Sequence, residues 1–370
     1  MNKNIKIKSI IIAFLFVFFA GNTVLGQSFK KSRLSLNVSL ASMYDDNILK
    51  YSDKYLERFV NNEDNGRFEL KTYDDVFLKT KISTSYSFRF FKKKNTKTKV
   101  SATFFNNYYI NNPVKTWNYY GVGVQQYLNK ASVKFSYSYI PAFYVRQFRQ
   151  YDLVDMYGYE PITFKPYVFS KDNYSLTFQN TFYKKTKVVL DLDKAVYYHN
   201  KYYTEYDSKN LSAGLNIEQK FAKNYSAGLG YVFTHSDAKG FDEIGETKET
   251  ADDSDATFND NTFVLSLKAK LPRVFKKRND ISIKGKYSDR KFSSSHLIHH
   301  DALHVNRVDK NIRLYVTYNV KLNKDTKVSL YYNNFFRDTY NNMGIYDDMV
   351  SEEKDYKQNQ FGFQVSYSIF

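Results

Sequence analysis

The chain ends in FGFQVSYSIF (361–370), in which apolar and polar side chains alternate before a final aromatic residue. In an extended strand, alternate residues share one face. The residues on one face of this strand are all apolar: Phe361, Phe363, Val365, Tyr367 and Ile369. Yet the whole chain is polar, with a mean hydropathy of −0.57 and a net charge of +17. Its architecture must therefore present only alternate residues to an apolar environment.

The same period of two recurs along the chain, most clearly in NIRLYVTYNVKL (311–322) and LKTKISTSYSFRF (78–90). A helix would spread these apolar residues around its circumference, whereas a strand places them on one face. The abundance of Tyr and Phe and the scarcity of Pro also favour strands and exclude disorder. The pattern predicts fourteen strands, near residues 33–43, 76–91, 98–110, 116–128, 132–145, 170–183, 186–198, 208–220, 225–235, 260–271, 280–291, 308–322, 326–338 and 358–370.

The predicted connections alternate between short, basic turns and longer segments that are often acidic. KKKNTKTK (92–99) and NKDTK (323–327) represent the first class, whereas residues 242–255 carry seven acidic residues against Lys248 alone. Short turns at one end and long loops at the other are typical of transmembrane β-barrels. An even number of strands then places both termini on the short-turn side.

The five prolines test this assignment, because proline cannot donate a hydrogen bond to a strand ladder. We expect Pro113, Pro161, Pro166 and Pro272 to lie in connections. Pro141 interrupts a continuous apolar face, which predicts a β-bulge or the membrane exit of that strand.

The sequence therefore predicts an all-β fold, a single antiparallel up-and-down transmembrane β-barrel of about 14 strands, over residues 27–370. In lipid every backbone N–H and C=O needs a partner, which helices and closed barrels provide. A secreted β-sandwich is the first alternative, but its strands would average about five or six residues. A secreted polyanion-binding protein is the second, but most of the net positive charge lies in the short turns. We expect no nucleic-acid partner.

Residues 1–26 have the features of a secretory signal peptide, with Lys3, Lys6 and Lys8 before an apolar run at 10–20. Cleavage after Gly26 would leave a net charge of 17 − 3 = +14. The chain contains no cysteine, so that it has neither disulfides nor thiolate metal ligands.

The terminal Phe370 resembles the C-terminal aromatic residue of bacterial outer-membrane barrels, although Ser368 stands where those barrels usually have a second aromatic residue. YDDNI (44–48) is similar to a first-strand motif of β-barrel porins and of the barrel domain of surface lipoprotein assembly modifiers. The resemblance implies a location in the outer membrane, with its lipids and the barrel assembly machinery as partners. The helical-repeat domain of the assembly modifiers has no counterpart here.

Basic residues predominate at the positions that alternation assigns to the barrel interior. Opposing acidic residues there are Asp191, Asp193 and Glu218. Such a lumen would favour anions, unless these charges pair or lie at the strand ends. The predicted lumen-lining residues are Lys79, Lys81, Arg89, Lys134, Lys268, Lys270, Lys284, Lys286 and Arg313.

Three functions are compatible with this reading. The first is a porin-like channel for small solutes, with a preference for anions. The second is a structural or assembly barrel that docks another outer-membrane or surface protein through its outer loops, notably residues 44–75 and 146–169. The third is a barrel hydrolase built on an Asp–His pair near His199 or His235.

Two segments could bind metal ions. HLIHHDALH (296–304) offers four imidazoles and Asp301 for a transition metal, and the acidic residues of 242–255 offer hard oxygen ligands for Ca²⁺ or Mg²⁺. We expect both to be solvated or rim-packed loops, because the first lies in a predicted outer loop beside Ser-rich sequence and the second lacks the spacing of an EF-hand. The common catalytic motifs are missing as well. The chain is therefore predicted to have no enzymatic activity, no cofactor and no metal.

Overall fold

The computed structural model describes residues 33–369, apart from residues 64–65, 92–94, 184, 275 and 345. The predicted signal peptide and the terminal Phe370 lie outside the described residues. The described part of the chain forms fourteen antiparallel strands, each hydrogen-bonded to its neighbours in sequence. The strands are β1 (Arg33–Asp45), β2 (Asp75–Phe88), β3 (Thr96–Tyr109), β4 (Trp117–Leu128), β5 (Ala131–Arg149), β6 (Phe164–Phe182), β7 (Thr186–His199), β8 (Ser208–Lys220), β9 (Tyr225–Ala238), β10 (Phe258–Val274), β11 (Lys277–Phe292), β12 (Arg307–Lys321), β13 (Thr326–Asn341) and β14 (Tyr356–Ser368).

The first and last strands close the barrel. Residues 37–45 of β1 pair with residues 360–368 of β14, so that the C-terminal strand lies beside the N-terminal one. Closure removes the sheet edges, and ladder groups find partners within the barrel. The prediction of a single up-and-down barrel of fourteen strands is thus confirmed.

The outer surface of the barrel is apolar. The five alternate residues from Phe361 to Ile369 at the C-terminal strand are 42–52% exposed, and Leu229, Phe263 and Leu330 on other strands are 53–68% exposed. An apolar surface that continues around a closed barrel is stable only against lipid. The chain is therefore a transmembrane β-barrel. Among the described residues, no helix is long and apolar enough to cross a membrane.

The two ends of the barrel differ as the sequence predicts, with six short turns at one end and seven longer connections at the other. The turn between β4 and β5 contains only Asn129 and Lys130. Asn129 has a φ of +60°, a left-handed conformation that asparagine tolerates better than most residues.

The first long connection lies between β1 and β2, and its described residues, 46–63 and 66–74, fold into the barrel mouth; we call this connection the inner loop. It contains helix α1 (Asp53–Val60), whose N-cap Ser52 accepts a hydrogen bond from the Tyr55 amide. Buried inner-loop residues pack against inward-facing wall residues in one apolar cluster. The buried members of this cluster are Ile48, Leu49, Tyr51, Tyr55 and Leu70 from the loop and Met43, Phe77, Tyr109 and Tyr144 from the wall.

Two further helices lie in the long connections. Helix α3 (Asp347–Lys354) packs beside the inner loop with Val350 fully buried, and the Ser52 hydroxyl donates to the Glu352 carbonyl at 2.5 Å. Helix α2 (Tyr151–Tyr157), in the β5–β6 connection, buries none of its residues. The mouth is therefore filled on one side by the inner loop and α3.

The prolines agree with the prediction in part. Pro113 and Pro161 begin short 3₁₀ turns, and the register of β5 shifts between Ile140 and Phe143, which confirms a bulge beside Pro141. The placement of Pro166 and Pro272 in connections was wrong, because both lie near strand ends. β6 begins at Phe164, six residues earlier than expected, and Pro272 falls where the β10–β11 register breaks between Leu271 and Val274.

Candidate functional site: the barrel lumen

Most of the predicted lumen-lining residues project from the inward face of their strands. Lys286 and Arg313 line an interior cavity, the Lys79 Nζ atom lies 4.7 Å from the centre of the Phe105 ring, and Lys134 alternates with the outward Phe135. Arg89 differs, because β2 ends at Phe88 and Arg89 lies in the exposed turn beyond it. The remaining residues, which are exposed within the lumen, are Lys81, Lys268, Lys270 and Lys284.

The interior cavity has a volume of about 340 Å³ and is bounded by strands from β6 to β12, away from the core of the inner loop. Its charged lining consists of four basic and two acidic side chains, a balance of 4 − 2 = +2. The basic residues are Lys171, Lys286, Arg290 and Arg313, and the acidic residues are Asp193 and Asp260.

Only part of this positive charge is neutralised. The Arg290 Nε atom donates to the Asp260 carboxylate at 3.0 Å, and the Ser288 hydroxyl donates to the same oxygen at 3.1 Å. Lys286 and Arg313, in contrast, lie directly opposite each other on β11 and β12, and no carboxylate among the described residues forms an ion pair with either. Like charges at directly opposed positions destabilise a sheet.

A second basic group lies where the cavity approaches the mouth. The Arg307 guanidinium binds both Asp309 oxygens, at 2.6 and 2.8 Å, and the Arg337 Nε atom lies 3.9 Å from the same carboxylate. Arg337 also donates to Asn311, a residue of the cavity lining, at 3.1 Å. One fully buried carboxylate thus stands between two guanidinium groups, and the local charge remains positive.

Sequence reasoning missed Arg290, Arg307 and Arg337. The sequence does indicate an inward position for Arg290, because Arg290 continues the alternation of Lys284 and Lys286 along β11. The ion pair of Arg307 with Asp309 lies within β12, whereas the contact of Arg337 with Asp309 depends on a cross-strand distance that the sequence does not contain.

The packed side of the mouth also contains buried charges. The Lys115 ammonium donates to the carbonyls of Tyr144 and Val145, at 3.1 and 2.9 Å, and burial, aided by the charge of Lys50, lowers its pKa to about 7. Burial likewise lowers the pKa of Lys354 to about 7, although neighbouring Glu353 opposes this shift. Glu353 lies 3.5 Å from Arg67 of the inner loop. Buried ionic contacts therefore join α3 to the inner loop.

A larger hollow, of about 570 Å³, lies on the outer surface and is not part of the lumen. Its lining is mostly apolar and outward-facing, and it therefore faces lipid. The apolar residues include Phe135, Tyr174, Leu176, Leu192, Leu211 and Phe233.

The histidines are held by neighbouring side chains. His304 is buried, with its Nδ1 atom 2.7 Å from Asp301, and the His299 ring lies 4.3 Å from the His300 ring at an angle of 46°. Within the described residues, the 296–304 segment does not bring three ligand atoms together.

His199 contacts Asp207 at 3.3 Å and the Tyr167 hydroxyl at 2.9 Å. In the described part of the chain, no serine or threonine hydroxyl lies within hydrogen-bond distance of the His199 or His304 ring. Of the two histidines that the hydrolase hypothesis names, His199 thus has an aspartate neighbour, whereas the His235 ring contacts Asn259 at 2.9 Å.

Comparisons with known proteins find likeness in structure only. No protein family matches the chain, and no curated protein matches it. The solved structures similar to it include the anion-selective porin from Comamonas acidovorans, at 8% identity over 92% of this chain and 100% of that one, with a TM-score of 0.46. They also include the outer membrane channel DcaP of Acinetobacter baumannii (10% identity, 91% and 97% coverage, TM-score 0.44) and OmpT of Vibrio cholerae (9%, 92% and 99%, 0.45).

At these identities the likeness is one of fold alone, and function is inferred from the chain's own residues. The closed barrel, its apolar outer surface and its two unlike ends give the chain the fold of the bacterial outer-membrane β-barrels.

Proposed function

We propose that the chain is a porin-like channel of the outer membrane through which small anionic solutes pass. The short turns and both termini would face the periplasm and the long connections the exterior. The observation that supports the preference for anions is the opposed pair Lys286 and Arg313 on the wall of the interior cavity. Two like charges in this arrangement cost stability, and an anion in the cavity would offset that cost.

Single-channel conductance in a planar bilayer under a KCl gradient tests this proposal. We expect steady conductance with a reversal potential that favours Cl⁻. In the double variant Lys286→Gln/Arg313→Gln, we expect the Cl⁻/K⁺ permeability ratio to fall by roughly twofold or more, because charge on the pore wall sets the local ion concentration. Lys291→Gln is the matched control, since Lys291 lies on the outward face of the same strand.

Two results would contradict the proposal. A folded barrel that conducts no ions would exclude a channel. A selectivity for cations, or one that the double variant leaves unchanged, would exclude the role of Lys286 and Arg313.

The second candidate function, docking of another surface protein, is favoured by the β5–β6 connection. Its apolar side chains are exposed, namely Tyr151, Met156, Tyr157, Tyr159 and Ile162. The inner loop, in contrast, packs four of its five aromatic residues into the mouth, namely Tyr51, Tyr55, Phe59 and Phe68. If the barrel docks another protein, that protein should co-purify with the wild-type barrel from native membranes. It should no longer co-purify with the double variant Met156→Ser/Tyr159→Ser. Purification of both barrels as lone monomers would contradict docking.

A further inference from the structure

Two neighbouring loops bring three carboxylates together at the barrel mouth. Glu205 belongs to the β7–β8 connection, and Asp242 and Asp253 belong to the β9–β10 connection. One carboxylate oxygen from each residue lies within 4.8 Å of those of the other two. The loops also touch through their backbones, since the Gly240 amide donates to the Glu205 carbonyl at 2.8 Å.

Glu205 is buried without a partner for part of its carboxylate. Glu205 is only 7% exposed, and its Oε2 atom has no hydrogen-bond partner among the residues that the structure describes. A buried carboxylate oxygen in this state costs free energy unless a proton or a cation satisfies it.

No basic side chain supplies that cation within the described residues. The ion pairs found there do not include Glu205, Asp242 or Asp253. Lys248, in the same loop as the two aspartates, is directed elsewhere, with its ammonium 2.7 Å from Asp237 and 3.1 Å from the Thr257 hydroxyl.

Neighbouring acidic residues add to the negative charge at the three carboxylates. Burial, together with the charges of Asp253, Asp242 and Asp152, raises the pKa of Glu205 to about 8. Burial and the charge of Asp242 raise the pKa of Asp253 to about 7. A bound divalent cation would reverse both effects, because it would become the largest local charge.

We propose that Glu205, Asp242 and Asp253 bind a Ca²⁺ ion that fastens the β7–β8 loop to the β9–β10 loop. Calcium takes oxygen ligands at about 2.3–2.6 Å, so ligands on opposite sides of the ion lie about 4.6–5.2 Å apart. The three carboxylate oxygens lie within 4.8 Å of one another, which is below the upper end of this range, so that all three can reach one ion. Zinc is disfavoured, because it commonly takes histidine or cysteine ligands, which this group lacks. The site is independent of ion conduction through the lumen.

Calcium binding to the refolded full chain in detergent, after treatment with a chelator, tests the proposal. Isothermal titration with CaCl₂ should show one site in the wild type. In Glu205→Gln, we expect the affinity to fall at least roughly tenfold, because calcium affinity depends on the number of charged ligands. Glu249→Gln is the matched control: Glu249 is an exposed acid of the same β9–β10 loop that lies outside the group of three.

A second measurement links binding to the loops. Calcium should slow cleavage of the β9–β10 loop by trypsin in the wild type and in Glu249→Gln, but not in Glu205→Gln. If Glu205→Gln does not refold, Asp253→Asn replaces it, since Asp253 is only partly buried.

The proposal is wrong if the wild type binds no calcium at millimolar concentration, which would show that the carboxylates hold protons instead. It is also wrong if Glu205→Gln and Glu249→Gln weaken binding equally, because calcium would then respond only to the diffuse negative charge of the loop.

Discussion

Residues of the YDDNI segment (44–48) stabilise the seam of the barrel, which is the pairing of β1 with β14. Asp45 accepts two hydrogen bonds from the Gln358 amide at 2.8 Å and one from Gln360 at 2.8 Å, and Asp46 accepts from the Asn359 backbone amide at 2.6 Å. These contacts join the end of β1 to β14. The motif that resembles one in other barrels therefore stabilises the closure, and it also sets the direction in which the inner loop begins.

Asn47 provides the first prediction at this scale. Its side-chain amide donates to the carbonyls of Tyr51 and Lys357, at 2.8 and 2.9 Å, and its oxygen accepts from the Tyr51 amide at 3.0 Å. Asn47→Ala would leave these buried groups unsatisfied, and we expect it to lower the free energy of unfolding by about 1–3 kcal/mol. Urea unfolding from lipid vesicles measures this.

The control for Asn47→Ala is Glu57→Ala, on the exposed side of α1. It should change the free energy of unfolding by less than about 0.5 kcal/mol, as is usual for surface positions. Equal effects of the two substitutions would show that the Asn47 contacts do not hold the seam.

At the scale of elements, α1 and α2 are similar in length but different in role. Tyr51 and Tyr55 stack at 5.6 Å between ring centres at the start of α1, and Arg146 of the wall lies 4.5 Å above the Tyr51 ring. Aromatic and cation–π contacts of this kind add to the burial of apolar area. Helix α2 buries nothing. Helix α1 therefore narrows the barrel mouth, whereas helix α2 lies on the surface.

Replacement of α1 (Asp53–Val60) by a Gly-Ser linker of the same length tests this difference. If the channel proposal is correct, we expect the unitary conductance to rise, because the core that fills one side of the mouth would loosen. Planar-bilayer recording measures the change.

The equivalent replacement of α2 (Tyr151–Tyr157) is the control and should leave the conductance unchanged. A conductance that is equal in the two replacements and the wild type would mean that the ion path does not run past α1.

At the scale of the whole molecule, charge is distributed unequally between the two ends. Exposed lysines mark five of the six short turns, and the acidic segments lie in the long connections. The lysines concerned are Lys130, Lys185, Lys223, Lys276 and Lys324. Basic residues near anionic lipid head groups are favourable, which supports the proposed orientation with the short turns toward the periplasm.

Epitope insertion in cells tests this orientation. Gly245 lies in the exposed β9–β10 loop with no atom within 4 Å of an added Cβ, and Lys223 lies in the β8–β9 turn. We expect antibody to bind a tag at Gly245 on intact cells, and a tag at Lys223 only after permeabilisation. The reverse pattern would show that the barrel is inserted with the opposite orientation.

Much of the site could be predicted from alternation alone. Lys286 and Arg313 were assigned to the interior because a strand repeats every two residues, and a closed barrel maps one parity to the lumen. Arg89 lies just beyond the end of β2, and alternation predicts which face a residue shares but not where the strand ends. The pairing of Arg307 with Asp309, only two residues away, was missed although both positions share a face.

The sequence by itself determined the number of strands, the inner and outer faces, and the two unlike ends, because each depends on residues that are neighbours along the chain. Only the tertiary structure decided that the described residues of the inner loop turn inward, that Lys286 lies opposite Arg313, and that Glu205 meets Asp242 and Asp253. These contacts join residues that are distant in sequence, and they depend on register, loop path and burial. Such quantities arise when the barrel closes, and no local period encodes them.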